Sequence, residues 1–353
     1  MMDLLRQSPE SYLSAHLGTD VIVESAAKFP RGSSRETWFV TYRARTGGDP
    51  VKIVFRADHP SGSTIPTSLA QEHAMYVALG QTNVPIARVL WWEDDPVVAA
   101  RPFFVREQVE GSWELPDFID PDPKFDDYRI EISKEHLRKL ALVHAIDWKG
   151  GGFERLLTAP KDEADCGEHC LRIIRTQLAA FQCEPIPVMT AAFDWLTRNA
   201  PVASRISLCK GTNGLGEEVF RGGKIVAMSD WEEALIGDPA NDFAHMQDFI
   251  PAVERAGKSI WGLPQALEYY HEQCGIRVTP EAVGYYGVMR ALRMVVFGHK
   301  TATLVRANPQ AHIRQTWTGT EVMHVGKQVL GAAIGLCPPP SPDHFAELNE
   351  TVE

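Results

Sequence analysis

Hydrophobic patterning changes character once along this chain, near residue 110, and that change limits the architectures open to it. Before it, apolar residues come in short β-type runs. "ETWFVTYRAR" (36–45) and "VKIVFRAD" (51–58) are rich in β-branched and aromatic residues, with the turn cluster "TGGDP" between them. Together they read as a hairpin. A helix over about 68–79 and two short strands within "EDDPVVAARPFFVREQVEG" follow. After about residue 112 the periodicity becomes helical, at 133–148, 168–181, 187–198, 263–274 and 280–305. One further hairpin interrupts the helices: "EVF", a turn at "RGGK", then "IVAMSD". The expected class is α+β, with a β-rich N-terminal part and a mostly helical C-terminal part. The acidic "LPDFIDPDPKFDD" (115–127) reads as an exposed loop. The tail "CPPPSPDHFAELNETVE" reads as mobile.

A chain of 353 residues can bury one large core or two smaller ones. Its net charge of −11 argues against nucleic acid as the partner, because neutralising phosphates needs a basic face. A small anionic ligand stays open, since a local pocket can oppose the global sign. The N-terminus lacks a basic region followed by an apolar core. No apolar run approaches the ~18 residues of a spanning helix. The expected location is the cytoplasm, with no membrane partner. The six cysteines are scattered and suit reduced thiols. "CGEHC" gathers Cys166, His169 and Cys170, but zinc would need a fourth ligand and usually shows paired CxxC spacing. A polar helix face with incidental thiols is the plainer reading.

Several residues point to chemistry. Gly32, Ser33 and Ser34 form a small-residue turn before a strand. Such a turn lets backbone N–H groups approach phosphates, and it also joins strands in many folds. Leu69, Glu72, Tyr76 and Leu79 share one helix face, so Glu72 lies on an apolar stripe and needs a partner or a route to water. The preceding strand carries Arg56, and a strand cation paired with a helix carboxylate can hold phosphates. His144 lies on the stripe of Leu137, Leu140 and Ala141 and reads as a satisfied core histidine. The second hairpin ends at Asp230, where a carboxylate is costly unless it meets a cation or backbone donors. Asp238 reads as a turn or capping residue, and Asp242 as a first-turn helix carboxylate.

In this order the motifs resemble the aminoglycoside phosphotransferase and choline kinase-like family, over nearly the whole chain. "GSSRETW" resembles its nucleotide loop, and "VFRAD" with "AQEHAMYVAL" its basic strand residue and helix glutamate. "PFFVREQVEG" resembles the hinge strand, and "LALVHAIDW" the first long helix beyond it. "IVAMSDWEEALIGDPANDFA" is very similar to the metal-binding segment. The nearest flavour is the bacterial branch related to proteins found beside acyl-CoA dehydrogenases. The resemblance implies a bilobal protein-kinase-like fold, with a nucleotide-binding lobe over 1–109 and a metal and acceptor lobe over 110–353. It implies ATP and Mg²⁺ as cofactors and a small-molecule hydroxyl as acceptor. Gly32, Ser33, Ser34, Arg56, Glu72 and the Gln108–Val109 backbone would hold the nucleotide, and Asp230 the metal.

The chain departs from the family where His-Gly-Asp and a later Asn are expected. Aligned without gaps, Lys210 replaces the histidine, Thr212 the catalytic aspartate and Glu217 the asparagine, while Gly211 survives. Threonine cannot serve as a base near neutral pH. Glutamate oxygens suit a hard cation, so Glu217 is a candidate second metal ligand, and Glu217 or Glu218 a candidate relocated base. Lys210 would neutralise phosphate or pair with Asp230. The leading expectation is phosphoryl transfer through an altered catalytic loop. The alternatives are a pseudokinase that binds nucleotide without transferring it, and nucleotidyl transfer on the same fold.

Overall fold

The computed structural model describes residues 3–29, 34–182, 184–308 and 311–340. Gly32 and Ser33 of the small-residue turn, and the tail beyond residue 340, lie outside the described residues.

After helix α1 (Pro9–Leu17), five strands form one antiparallel sheet in the order β1-β2-β3-β5-β4. They are β1 (Val21–Lys28), β2 (Arg35–Ala44), β3 (Val51–Asp58), β4 (Val89–Glu93) and β5 (Phe103–Glu107). β2 and β3 are the expected hairpin, with Thr37 opposite Arg56. Side chains alternate across a strand. Ile53, Phe55 and Ala57 pack with Phe103 and Val105 in one core, leaving Val54 and Arg56 on the other face. Helix α2 (Leu69–Leu79) starts at Ser68, whose hydroxyl accepts from the Gln71 N–H. Its buried stripe is Leu69, Glu72, Met75, Tyr76 and Leu79.

The C-terminal part comprises α3 (Pro116–Ile119), α4 (Asp126–His144), α5 (Cys166–Ala179), α6 (Pro187–Arg198), strands β6 to β9, α7 (Ala240–His245), the small hairpin β10 (Val253–Arg255) and β11 (Lys258–Trp261), α8 (Leu263–Cys274), α9 (Pro280–Ala307), α10 (Ile313–Trp317) and α11 (Met323–Ala333). Strands β6 (Ser207–Cys209) and β9 (Leu235–Gly237) pair with each other, as do β7 (Glu218–Arg221) and β8 (Lys224–Met228). Its core runs along α9 through Tyr286, Leu292, Val295 and Val296. The α+β, two-part arrangement is the one expected. Among the described residues no helix is long and apolar enough to cross a membrane.

The acidic stretch corrects the sequence reading. It is not a plain loop: residues 116–119 make a helical turn anchored by buried Phe118, and α4 begins at Asp126 rather than near 133. Asp126 and Asp127 favour a helix there because they sit at its positive end. Strands β10 and β11 and helices α10 and α11 were also missed. Their segments are short or broken by polar residues.

Candidate active site

The β7–β8 hairpin turns on Gly222 and Gly223, both at positive φ. Strand β8 stops at Met228, whose N–H donates to the Pro85 carbonyl at 2.7 Å. Asp230 lies two residues past the strand, not at its end as expected. It adopts a left-handed φ of 64°, uncommon for a non-glycine residue. Its N–H donates to the Tyr76 hydroxyl at 3.3 Å, which ties this segment to α2.

Three elements meet at Glu72. Arg56 Nε donates to Glu72 Oε1 at 2.6 Å, and Arg35 Nε to Glu72 Oε2 at 3.0 Å. Arg56 Nη2 reaches Asp230 Oδ1 at 2.7 Å. Glu72 therefore faces the cleft side of the sheet with both oxygens paired, and does not turn to water. Arg35 is itself buried, and holds Asp58, Thr67 and Glu232 besides. Burial, with Asp230 and Glu72 alongside, pushes the Glu232 carboxyl well above the usual range.

The altered loop follows β6. Asp242 sits beneath it, accepting from the Lys210 and Gly211 N–H groups at 2.8 Å each and from His144 Nε2 at 2.9 Å. The other His144 nitrogen meets the Tyr270 hydroxyl at 2.7 Å, so His144 is a satisfied core residue. Asp242 thus fixes the loop rather than serving only as a first-turn helix charge. Burial would raise its carboxyl, but His144 and the two amides hold it below the ordinary value. Gly211 has a φ of 85°, and a Cβ there would lie 2.2 Å from the Glu233 carbonyl oxygen. Only glycine fits such a contact, which accounts for the one loop residue that keeps the family identity.

Lys210 corrects an expectation. Its side chain is fully buried, and Nζ meets the Thr212 carbonyl, Glu218 at 3.2 Å and Glu217 at 3.4 Å. Burial opposes its charge, yet Glu218 and Glu217, with Asp230, outweigh it and hold the ammonium above its usual pKa. The charge is therefore consumed inside the loop by Glu218, Glu217 and the Thr212 carbonyl, rather than by a direct pair with Asp230. Glu218 is also fully buried, 3.5 Å from His136 Nε2, and is removed as a candidate base. Glu217 is half-buried, accepts from the Gly214 N–H at 2.8 Å and opens to the cleft. Burial, together with Asp230 and Glu218, pushes its carboxyl up to about 8 against the pull of Lys210.

A cleft of about 880 Å³ is lined by Ser34, Arg56, Gln108, Val109, Glu217 and Asp230 among others. The structure so gathers most of the residues singled out from sequence; Lys210, Thr212 and Glu72 stand behind its wall. The Gln108 N–H donates to the Lys52 carbonyl at 3.1 Å, which ties this backbone to β3. Asp230 and Glu217 on one wall concentrate carboxylate oxygens, and the charge of Asp230 helps to raise the Glu217 carboxyl, a donor set suited to a hard divalent cation. Arg35, Glu232 and Glu233 were missed. "SSRET" and "DWEE" gave a faint signal, as charges inside otherwise buried segments.

Comparison with known proteins gives consistent results. The model of a family described as the phosphotransferase enzyme family matches residues 25–272. Acyl-CoA dehydrogenase family member 10 of Mus musculus is 25% identical over 292 residues, covering 77% of this chain and 26% of that protein. The chain spans about a quarter to a third of the length of the curated relatives it matches. Among solved structures, the macrolide 2'-phosphotransferase MphH of Brachybacterium faecium aligns with a TM-score of 0.57 at 17% identity, over 93% of this chain and 98% of that one. A thermostable mutant of the aminoglycoside phosphotransferase APH(4)-Ia, in ternary complex with ADP and hygromycin B, aligns at 0.59 and 13%, over 95% and 100%. The fold is that of the protein-kinase-like phosphotransferases.

Proposed function

The chain belongs to the phosphotransferase enzyme family, and from that premise we propose that it transfers the terminal phosphoryl group of ATP to the hydroxyl of a small molecule, with Mg²⁺ bound. The observation that carries this reading is the convergence of Arg56, Asp230 and Glu217 on one cleft of about 880 Å³. In it, residues 1–109 hold the nucleotide and 110–353 hold the metal and acceptor. Arg56, braced by Glu72, receives phosphate oxygens, and Ser34 closes the phosphate end. The adenine edge meets the Gln108–Val109 backbone, which lines the cleft. Asp230 and Glu217 would hold Mg²⁺, which when bound neutralises charge on the phosphates. The transition state is loose, so position and charge stabilisation count for more than proton removal. That tolerance is what lets Thr212 stand where an aspartate is usual. The cytoplasm supplies ATP, Mg²⁺ and the reducing conditions that suit the free cysteines.

The test is a thermal-shift titration with ATP, with and without Mg²⁺, followed by phosphate release from Mg·ATP. Mg²⁺-dependent stabilisation with slow phosphate release supports the reading. Stabilisation without release over a day favours a nucleotide-binding module that transfers nothing, to which Thr212 also gives weight. No stabilisation by any nucleotide removes both.

A further inference from the structure

A second cavity, of about 440 Å³, lies behind the loop, and Glu232 lines both it and the nucleotide cleft. Its walls are largely apolar, through Leu157, Ile174, Leu235 and Met289, and its charged lining is Glu232, Glu233 and Arg293. Glu233 is 7% exposed. One of its oxygens is paired with Arg293 of α9; the other accepts from the Thr212 hydroxyl at 3.3 Å. The close approach of Gly211 to the Glu233 backbone fixes the two segments against each other.

A carboxylate therefore stands one hydrogen bond from the position where the family's aspartate is replaced. Glu217 lies on the nucleotide side of the loop and Glu218 is sealed within it. Glu233 lines the second cavity. We propose that Glu233 is the catalytic carboxylate of this chain, taking over at Thr212 the role that residue cannot perform, with the acceptor entering through the second cavity. This rests on the phosphotransfer reading above.

In the step, the acceptor oxygen forms a bond to the γ-phosphorus of ATP. The bond from that phosphorus to the bridging oxygen breaks, and ADP leaves with the electron pair. The hydroxyl proton passes to Glu233 Oε2. Thr212 donates its own proton to that oxygen and so orients it, while Arg293 holds the other. An acceptor with an apolar body beside its hydroxyl suits these walls better than a polycation.

The experiment uses the full chain and two probe acceptors, water and glycerol. Glu233→Gln is expected to lower kcat for phosphate release or glycerol phosphorylation by ~100-fold or more, the scale of a lost general base. Mg·ATP affinity, read by calorimetry, should stay within about twofold, since the loss falls on the transition state alone. Adding Thr212→Asp to Glu233→Gln should recover roughly tenfold, because it returns a carboxylate to the neighbouring position. Should Glu233→Gln fold poorly, Glu233→Asp keeps the charge facing Arg293 with the oxygen drawn back by one methylene. Its expected loss is about tenfold in kcat at unchanged affinity. A merely structural Glu233 would instead lower melting temperature and Mg·ATP affinity together, and Thr212→Asp would rescue nothing. Parent-like turnover in Glu233→Gln or Glu233→Asp overturns the inference and leaves the phosphotransfer reading standing. A parent that binds Mg·ATP and transfers to neither acceptor overturns both.

Discussion

Arg56 Nη2 stands 2.7 Å from Asp230 Oδ1, so the cation of strand β3 is bonded directly to the carboxylate assigned to the metal. The same guanidinium holds Glu72 at 2.6 Å. The two side chains satisfy each other across the cleft. On the proposed function, filling the site would exchange this contact for two, phosphate on Arg56 and Mg²⁺ on Asp230.

Asp230→Asn tests that exchange. Asparagine tolerates the left-handed φ of 64° that position 230 requires, so the fold is expected to persist. Mg²⁺-dependent stabilisation by ATP should vanish, while the melting temperature without ligand moves little. A variant that responds to Mg·ATP as the parent does would place the metal elsewhere.

Glu72→Ala should be costly for a different reason. It leaves the buried Arg35 and the partly buried Arg56 without the carboxylate they share. Breaking a buried pair by removing one partner typically costs about 3–5 kcal/mol. Urea denaturation at constant m-value is the measure. A loss of under about 1 kcal/mol would mean the guanidiniums re-pair or reach water, as surface ion pairs do.

These two predictions rest on residues that were legible in the sequence, and the reason is local. Glu72 betrayed itself by standing on an apolar helix stripe, and Arg56 by its place in a strand that faces that helix. Both signals need only the period of one element. The α+β division was legible in the same way. Lys210 was misread because its partner Glu218 turns inward only once β7 pairs with β8, which no local pattern reveals. Glu233 was missed because its contact with Thr212 spans 21 positions and its partner Arg293 lies on a distant helix. Asp242 was underestimated similarly: its hydrogen bonds run to a loop 31 and 32 positions earlier. Charges on the faces of single elements could be assigned; charges joined by tertiary closure could not.

His245 sets a pH dependence. It is buried, its Nε2 has no hydrogen-bond partner, and burial, with Arg293 and Arg290 nearby, lowers its pKa to about 3. In the unfolded chain it titrates at its ordinary value near 6.5. The folded pKa is depressed, so the unfolded state binds the proton first as pH falls. Stability is fully present above about 6.5 and is lost progressively toward 3. Between pH 7 and 5 this one group should cost on the order of 2 kcal/mol, at 1.36 kcal/mol per pKa unit. His245→Gln should flatten that part of the curve in urea titrations. An unchanged slope would assign the acid limb to other groups.

Glu217 carries the last prediction. It lies on the cleft wall with Asp230, and its carboxyl is held near 8 by burial and by neighbouring carboxylates. A divalent cation between the two would relieve that crowding, which is the physical case for a repurposed ligand. Glu217→Asn should then weaken Mg²⁺ binding in the presence of ATP by about 1–3 kcal/mol, the range for stranding a buried polar partner. Thr212→Asp alone should change Mg²⁺ affinity little, because its added charge stands behind the cleft wall against Glu233 and meets repulsion there. Restoring the full family trio, Lys210→His with Thr212→Asp and Glu217→Asn, should be worse than either. Lys210 is the ammonium that neutralises buried Glu218, and a histidine at that place reaches it less far and titrates within the working pH range. The triple variant is therefore expected to melt lower than the parent and to bind Mg·ATP more weakly. Magnesium titrations of nucleotide binding across these variants decide the matter. Equal or tighter Mg²⁺ binding in Glu217→Asn would show that the loop has lost its family residues without gaining a ligand in exchange.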